Sequence, residues 1–284
     1  MLLPGVIVIL IYHYGPMFGI VMAFQKFKPA LGFLHSPWVG WKNFEYVFNL
    51  PDFAQVIWNT LAISLLKIVF GLLVPLALAL LLNEVASNAF KRTVQTSVFL
   101  PFFLSWTVLG GVLFELFSLK GPINAILAYV GMNPVLFLGS ESWFRAILVG
   151  SDVWKGMGYN MIIFLAAIVG INPNLYEAAQ VDGAGRWKQM AHITLPGMAP
   201  ILILLTTLSI GSILNAGFEQ ILLLYSPAVY SSADVIDTFV YRFGLIEQQY
   251  AAAAAIGLFK SGVSLFLVSL SYYLAYRFSN YRIF

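Results

Sequence analysis

The chain is 284 residues long, 60% hydrophobic and only 10% charged, with a formal charge of +3 and no cysteine. A soluble domain carries about 25% charged residues, so a chain of mean hydropathy +0.86 cannot clothe a water-facing surface, and lipid must be its solvent. The missing cysteines exclude disulfides, zinc–thiolate sites and thiol nucleophiles; the scattered bases nowhere reach the density of a nucleic-acid-binding face.

Six stretches, at 2–24, 58–82, 96–117, 143–170, 199–225 and 251–276, hold the roughly 20 apolar residues a helix needs to cross the hydrocarbon core. They lack the short alternating segments of a barrel, and helices are the other way to satisfy every backbone group in lipid. The expected fold class is all-α: a polytopic membrane protein of six transmembrane helices, a single transmembrane domain over 1–284 with no room for a nucleotide-binding domain.

The first stretch opens straight after Met1, without a basic region before it or a small-residue cleavage site, so 1–24 reads as a retained helix. His13, flanked by Tyr12 and Tyr14, reads as a hydrogen-bonded packing residue more readily than as a proton relay. Trp38, Trp41, Trp58 and Trp143 fall at predicted water boundaries and suit an aromatic belt. The second stretch carries Lys67 and closes on Asn83–Glu84; the third carries Trp106 and Glu115. The fourth carries Asp152, Trp154, Lys155, Tyr159 and Asn160, the fifth Asn215, Glu219 and Gln220, and the sixth Lys260. The outer segment 226–250, with Asp234, Asp237, Arg242 and Glu247, reads either as a solvated loop or as a docking surface.

Six spans put both termini on one side, together with 83–95, 171–198 and the tail 277–284. The two sides hold six basic residues each: Lys91, Arg92, Arg186, Lys188, Arg277 and Arg282 against Lys26, Lys28, Lys42, Lys120, Arg145 and Arg242. The first set is denser, which favours cytoplasmic termini.

Residues 172–196 read NPNLYEAAQVDGAGRWKQMAHITLP, the least apolar connection on that side. Pro173 and Asn174 suit a helix start, and Tyr176 to Gln180 favour helix. Gly183 and Gly185 interrupt it, and Trp187 to Ile193 predict a second short helix, stopped by Pro196. Small residues at 178, 179, 183 and 184 would let another protein approach closely, with Glu177 and Asp182 offering carboxylates to its Arg or Lys. An ordinary helical hairpin fits the same composition.

This string resembles the EAA motif of binding-protein-dependent ABC importer permeases: E-A-A, three residues, G, nine residues, I-x-L-P. Glu177-Ala178-Ala179, Gly183 and Ile193-Thr194-Leu195-Pro196 meet every fixed position. The segment FEQILLLYSPAVYSSADVIDTFVYRFGL at 218–245 is similar to permeases of the carbohydrate-uptake group for complex oligosaccharides, which includes importers of pectin- and alginate-derived acidic fragments. That group usually has a basic N-terminal tail before the first span, which this chain lacks, so its start reads as trimmed. The resemblance implies a type I ABC importer permease in the bacterial inner membrane. Its coupling loop, 171–198, would place Glu177, Ala178, Ala179, Asp182, Gly183, Ala184, Ile193, Leu195 and Pro196 against a cytosolic ATPase. It further implies a second permease of non-identical sequence, two ATPase subunits and an extracytoplasmic sugar-binding protein. The chain has no GxxxxGK[ST] loop, so ATP and Mg are expected on the ATPase partners and no cofactor or catalysis in this chain. A secondary transporter or channel subunit is the alternative; it should show internal repeats or helices interrupted at matching positions, and no repeat is visible. A membrane-embedded enzyme lacks its HExxH or GxSxG here.

Ionisable groups at membrane depth mark function by default. At 1.5 Å per residue, Lys67, Asp152 and Lys260 lie about 13 Å inside the outer ends of their spans, and Lys155 about one turn deeper. One reading is a polar cavity with excess positive charge for an acidic sugar. The other has Asp152 and Lys155, three apart on one helix face, neutralising each other while Lys67 and Lys260 pair with the partner permease or snorkel. Trp154, Tyr159, Asn160, Asn215, Glu219 and Gln220 supply the aromatic and amide chemistry of sugar sites, with Trp106 and Glu115 as weaker candidates.

Overall fold

A computed structural model describes residues 2–279, with side chains described through Tyr273; Met1 and Arg282 lie outside the described residues, as does the side chain of Arg277. Among the described residues five helical stretches are long and apolar enough to cross a membrane, Leu3–Phe24, Phe53–Glu84, Trp106–Tyr129, Glu141–Val169 and Tyr250–Tyr273, and the bent pair Arg186–Gly197 and Ala199–Gly211 brings the number up to six; these stretches comprise several of the individual helices. They are named here α1 (Leu3–Phe24), α2 (Phe53–Glu84), α3 (Asn88–Phe99), α4 (Trp106–Phe117), α5 (Glu141–Val169), α6 (Pro173–Val181), α7 (Arg186–Gly197), α8 (Ala199–Gly211), α9 (Phe218–Leu224), α10 (Ile236–Tyr241) and α11 (Tyr250–Ser279).

The second, fourth and sixth expected spans appear as α2, α5 and α11, each an unbroken apolar run. α2 and α5 pack along each other as the spine of the molecule. Around them Ile63, Leu109, Phe144, Leu148 and Ile221 form one buried cluster, and Ala79, Met161, Phe164, Ile168 and Met198 form another towards the EAA-type loop. α1 is different. Residues 3–18 are exposed on every face, and the last turns pack against α11 and against Trp38, Trp41 and Phe44.

The third and fifth spans depart from the expected single helices. The chain over 96–117 is two helices. α3 begins earlier, where Ser87 accepts from the Phe90 amide at 3.3 Å, and it tightens into a 3₁₀ turn over Leu100–Phe103. Pro101 cannot donate to the ladder; Leu104 is extended, and Ser105 starts α4 by accepting from the Val108 amide at 3.3 Å. The fifth span is interrupted between α8 and α9, over Ser212–Gly217. Interrupted helices therefore occur in a chain with no visible internal repeat, and their presence does not favour a secondary transporter.

Pro196 does not stop the helix before it. A π turn over Met190–Thr194 opens the coil ahead of the ring, with the Leu195 amide reaching Met190. The helix continues to Gly197, and α8 leaves at 55° to α7. The segment 226–250 is a folded cap rather than a solvated loop, with Glu247 exposed on it. Asp234 is buried and pairs with Arg242, Asp237 pairs with Lys260, and Asn59 of α2 donates to the Ser231 carbonyl at 3.0 Å.

Candidate functional site

The break in the fifth span leaves backbone groups without helical partners. A lysine from a neighbouring helix reaches one of them. The Lys67 ammonium of α2 donates to the Ala216 carbonyl at 2.8 Å, to Asp152 of α5 at 3.3 Å and to Gln220 of α9. All three of its protons are thereby placed. Gln220 is fully buried and donates in turn to the Leu148 carbonyl at 2.8 Å and to Ser151 at 2.7 Å. Gly217 adopts φ +96°, and a Cβ there would stand 2.8 Å from the Lys67 ammonium; only glycine fits both conditions.

On the other flank of the same break, Lys260 of α11 donates to Asn215 at 2.8 Å and to the carboxylate of Asp237. The break is thus held from two sides by lysine–aspartate pairs. The expected pairing of Asp152 with Lys155 is not made: Asp152 turns to Lys67 across helices. Nor do Lys67 and Lys260 need a partner permease for their counter-charges, since Asp152 and Asp237 of this chain supply them.

Lys155 serves the other break. It is the central residue of the 29-residue α5, where an unshielded lysine costs about 2.5–3.5 kcal/mol on insertion scales. Its ammonium donates to the Phe102 carbonyl at 2.9 Å, in the 3₁₀ turn between α3 and α4. It lies 5.4 Å from the Phe102 ring centre and 5.6 Å from that of Trp106. Tyr159, one turn along α5, stacks on Phe102 with centroids 4.8 Å apart and planes 12° from parallel. Close crossing makes this possible: a Cβ on Gly158 would stand 2.3 Å from the Val98 carbonyl of α3.

A polar cavity of about 220 Å³ lies beneath the fifth-span break. Lys67, Asp152, Asn160 and Asn215 line it, joined by Ser64, Ser209 and Ser212, which sequence reasoning missed. Asn160 donates to the Gly71 carbonyl at 3.1 Å. Lys155, Trp154, Tyr159, Glu219 and Gln220 are not part of its wall. Trp154, Tyr159 and Glu219 are exposed instead. Lys260 and Asn215 also border a more open cavity of about 650 Å³ between α10 and α11. Among the described residues, no three His, Asp or Glu side chains come together as metal ligands.

At the opposite end of α5 the loop expected over 172–196 is a helix, a glycine turn and a second helix. Asn172 caps α6 by accepting from the Asn174 amide at 3.0 Å. Gly183 at φ +75° reverses the chain, and the Ala184 amide closes the turn on the Ala179 carbonyl at 2.8 Å. Tyr176 bonds Thr194 at 2.9 Å, tying α6 to α7, and Arg186 meets Glu84 at the end of α2 at 3.6 Å. Glu177, Ala178, Asp182, Gly183 and Pro196 are exposed; Ala179, Ala184, Ile193 and Leu195 are half-buried against the loop's own body. Leu175, Val181 and Trp187 add exposed apolar surface to the same loop.

In the cap over 226–250, burial pushes the Asp234 carboxyl above the ordinary carboxylate range, opposed by the Thr238 hydroxyl and the Arg242 guanidinium. That guanidinium also lies 4.7 Å from the Tyr230 ring centre.

Comparison with known proteins places this geometry. Residues 67–280 match the family described as binding-protein-dependent transport system inner membrane component. The polygalacturonan/rhamnogalacturonan transport system permease protein YteP of Bacillus subtilis is 42% identical over 281 residues, spanning 99% of this chain and 88% of the relative. The crystal structure of a bacterial ABC transporter involved in the import of the acidic polysaccharide alginate superposes with a TM-score of 0.91 at 42% identity, covering 98% of this chain and 94% of the other. That of a bacterial alginate ABC transporter in complex with an alginate pentasaccharide-bound periplasmic protein gives 0.89 at 41% identity, over 98% and 93%. This chain belongs to the binding-protein-dependent transport system inner membrane components, the permease family to which the motif from Glu177 to Pro196 points.

Proposed function

We propose that this permease carries an acidic oligosaccharide across the bacterial inner membrane, with both termini in the cytoplasm. The observation that carries the coupling half of the reading is the exposed α6–glycine–α7 loop beyond the end of α5. Its Glu177 carboxylate has no partner among the described residues and is free to meet a basic groove. Two ATPase subunits bind ATP and Mg, close on each other and move α6; this chain and a second, non-identical permease then rock between inward- and outward-facing states. An extracytoplasmic binding protein delivers the sugar. The 42% identity to a permease named for polygalacturonan and rhamnogalacturonan, and to one involved in alginate import, supports the acidic class of cargo.

The test is co-expression with neighbouring genes followed by affinity purification through this chain. Recovery of an ATPase and a second permease in stoichiometric amounts is the expected result. Recovery of this chain alone, folded and monodisperse, would contradict it.

A further inference from the structure

The three intramembrane lysines differ in how much of their hydrogen-bonding capacity the protein uses. An ammonium has three protons to donate. Lys67 places three, on Asp152, Ala216 and Gln220, and is 8% exposed. Lys260 places two, one of them on the Asp237 carboxylate. Lys155 places one, on a neutral carbonyl, and no carboxylate among the described residues neutralises it. Of the three it has the most capacity to spare, two protons against one on Lys260.

Its surroundings suit a sugar acid. The stacked rings of Phe102 and Tyr159 are partly exposed beside the ammonium, and Trp106 flanks it. A pyranose presents apolar C–H faces to such rings, and a uronic acid carries its carboxylate at the ring edge. A cation beside an aromatic platform recognises both features together. The carbonyl of Phe102 holds the ammonium against the 3₁₀ turn without discharging it.

We infer that Lys155 is the residue that recognises the carboxylate of the transported sugar, with Phe102 and Tyr159 as the platform for its ring. The assignment rests on the acidic-oligosaccharide reading above and narrows it: Lys155 holds the 3₁₀ turn with one donor and meets the sugar carboxylate with those left over, whereas Lys67 and Lys260 spend theirs on contacts within the chain.

The experiment uses the assembled transporter in proteoliposomes, with uptake of oligogalacturonate compared against its methyl ester. The two ligands share every hydroxyl and differ in charge. For Lys155→Met, apparent affinity for the free acid falls about tenfold, the loss of one charge-assisted hydrogen bond, while that for the ester changes less than about twofold; Lys155→Arg retains discrimination. Equal losses for acid and ester, or no loss for either, overturn the assignment and leave the oligosaccharide reading standing. A wild-type transporter that takes up neither ligand nor any other uronic oligosaccharide overturns both.

Discussion

Lys67 on α2 donates to the Ala216 carbonyl at 2.8 Å, so an ammonium from one membrane-spanning helix completes the backbone of another where that second helix is broken. A side chain that sequence logic marks as functional is thus first a structural component. The same arrangement recurs between Lys155 and Phe102 at the other break.

Replacing Lys67 with Met removes the donor from Ala216 and Gln220 and leaves Asp152 without its counter-ion. The Asp152 side chain is 35% exposed, so the larger loss is that of the buried Ala216 and Gln220 acceptors, about 1–3 kcal/mol for each left unsatisfied. Lys67→Met should therefore lower the thermal transition of the detergent-solubilised protein sharply, and adding Asp152→Asn should recover part of the loss. A single variant as stable as wild type would remove Lys67 from its structural role.

Gly217 is required on two counts, its φ of +96° and the 2.8 Å approach to Lys67. Gly217→Ala should destabilise by about 1–3 kcal/mol, the range of a strained backbone position. Gly150→Ala, where the added carbon meets open space, should change stability little. Fluorescence-detected melting of the two variants compares them directly; equal melting temperatures would refute the strain argument.

The Asp234–Arg242 pair gives a pH signature. Burial raises the folded-state affinity of Asp234 for a proton, so its contribution to stability is full at low pH and declines as pH rises through the folded value. Arg242 offsets that decline by compensating the ionised form. Arg242→Met should accordingly destabilise most at neutral pH and progressively less in mildly acidic buffer, as Asp234 takes up a proton. A loss of stability independent of pH would show that Arg242 acts through its packing on Tyr230 and Phe239 alone.

Glu177 projects from α6 without a partner among the described residues, so its reversal should leave the fold untouched. Glu177→Lys should insert and melt like wild type yet lose ATPase on affinity purification and lose transport. Normal co-purification with normal uptake would remove Glu177 from the coupling contact.

The long spans were legible because α2, α5 and α11 are continuous apolar runs, and the loop was legible because glycine and asparagine sit where turn and cap need them. The two breaks were not. LPFFLS at 100–105 and SILNAG at 212–217 stay apolar enough to read as membrane helix; only Pro101 and Gly217 hint otherwise. Helical spacing correctly put Asp152 and Lys155 within one turn, but it carries no information on which neighbouring helix each meets. Asp152 faces α2 and Lys155 faces the 3₁₀ turn, so the pair expected from spacing gave way to one set by packing. Asp237 reads from sequence as part of a solvated loop or of a docking surface, because nothing local shows that Lys260 reaches it.

The most direct test of the account is the ATPase rate of the purified complex, with and without an extracytoplasmic binding protein loaded with a uronic oligosaccharide. The account predicts that loaded binding protein raises the rate several-fold in wild type and leaves it at the basal level when this chain carries Glu177→Lys. A wild-type rate indifferent to the loaded binding protein, or full stimulation through the Glu177→Lys chain, would contradict it.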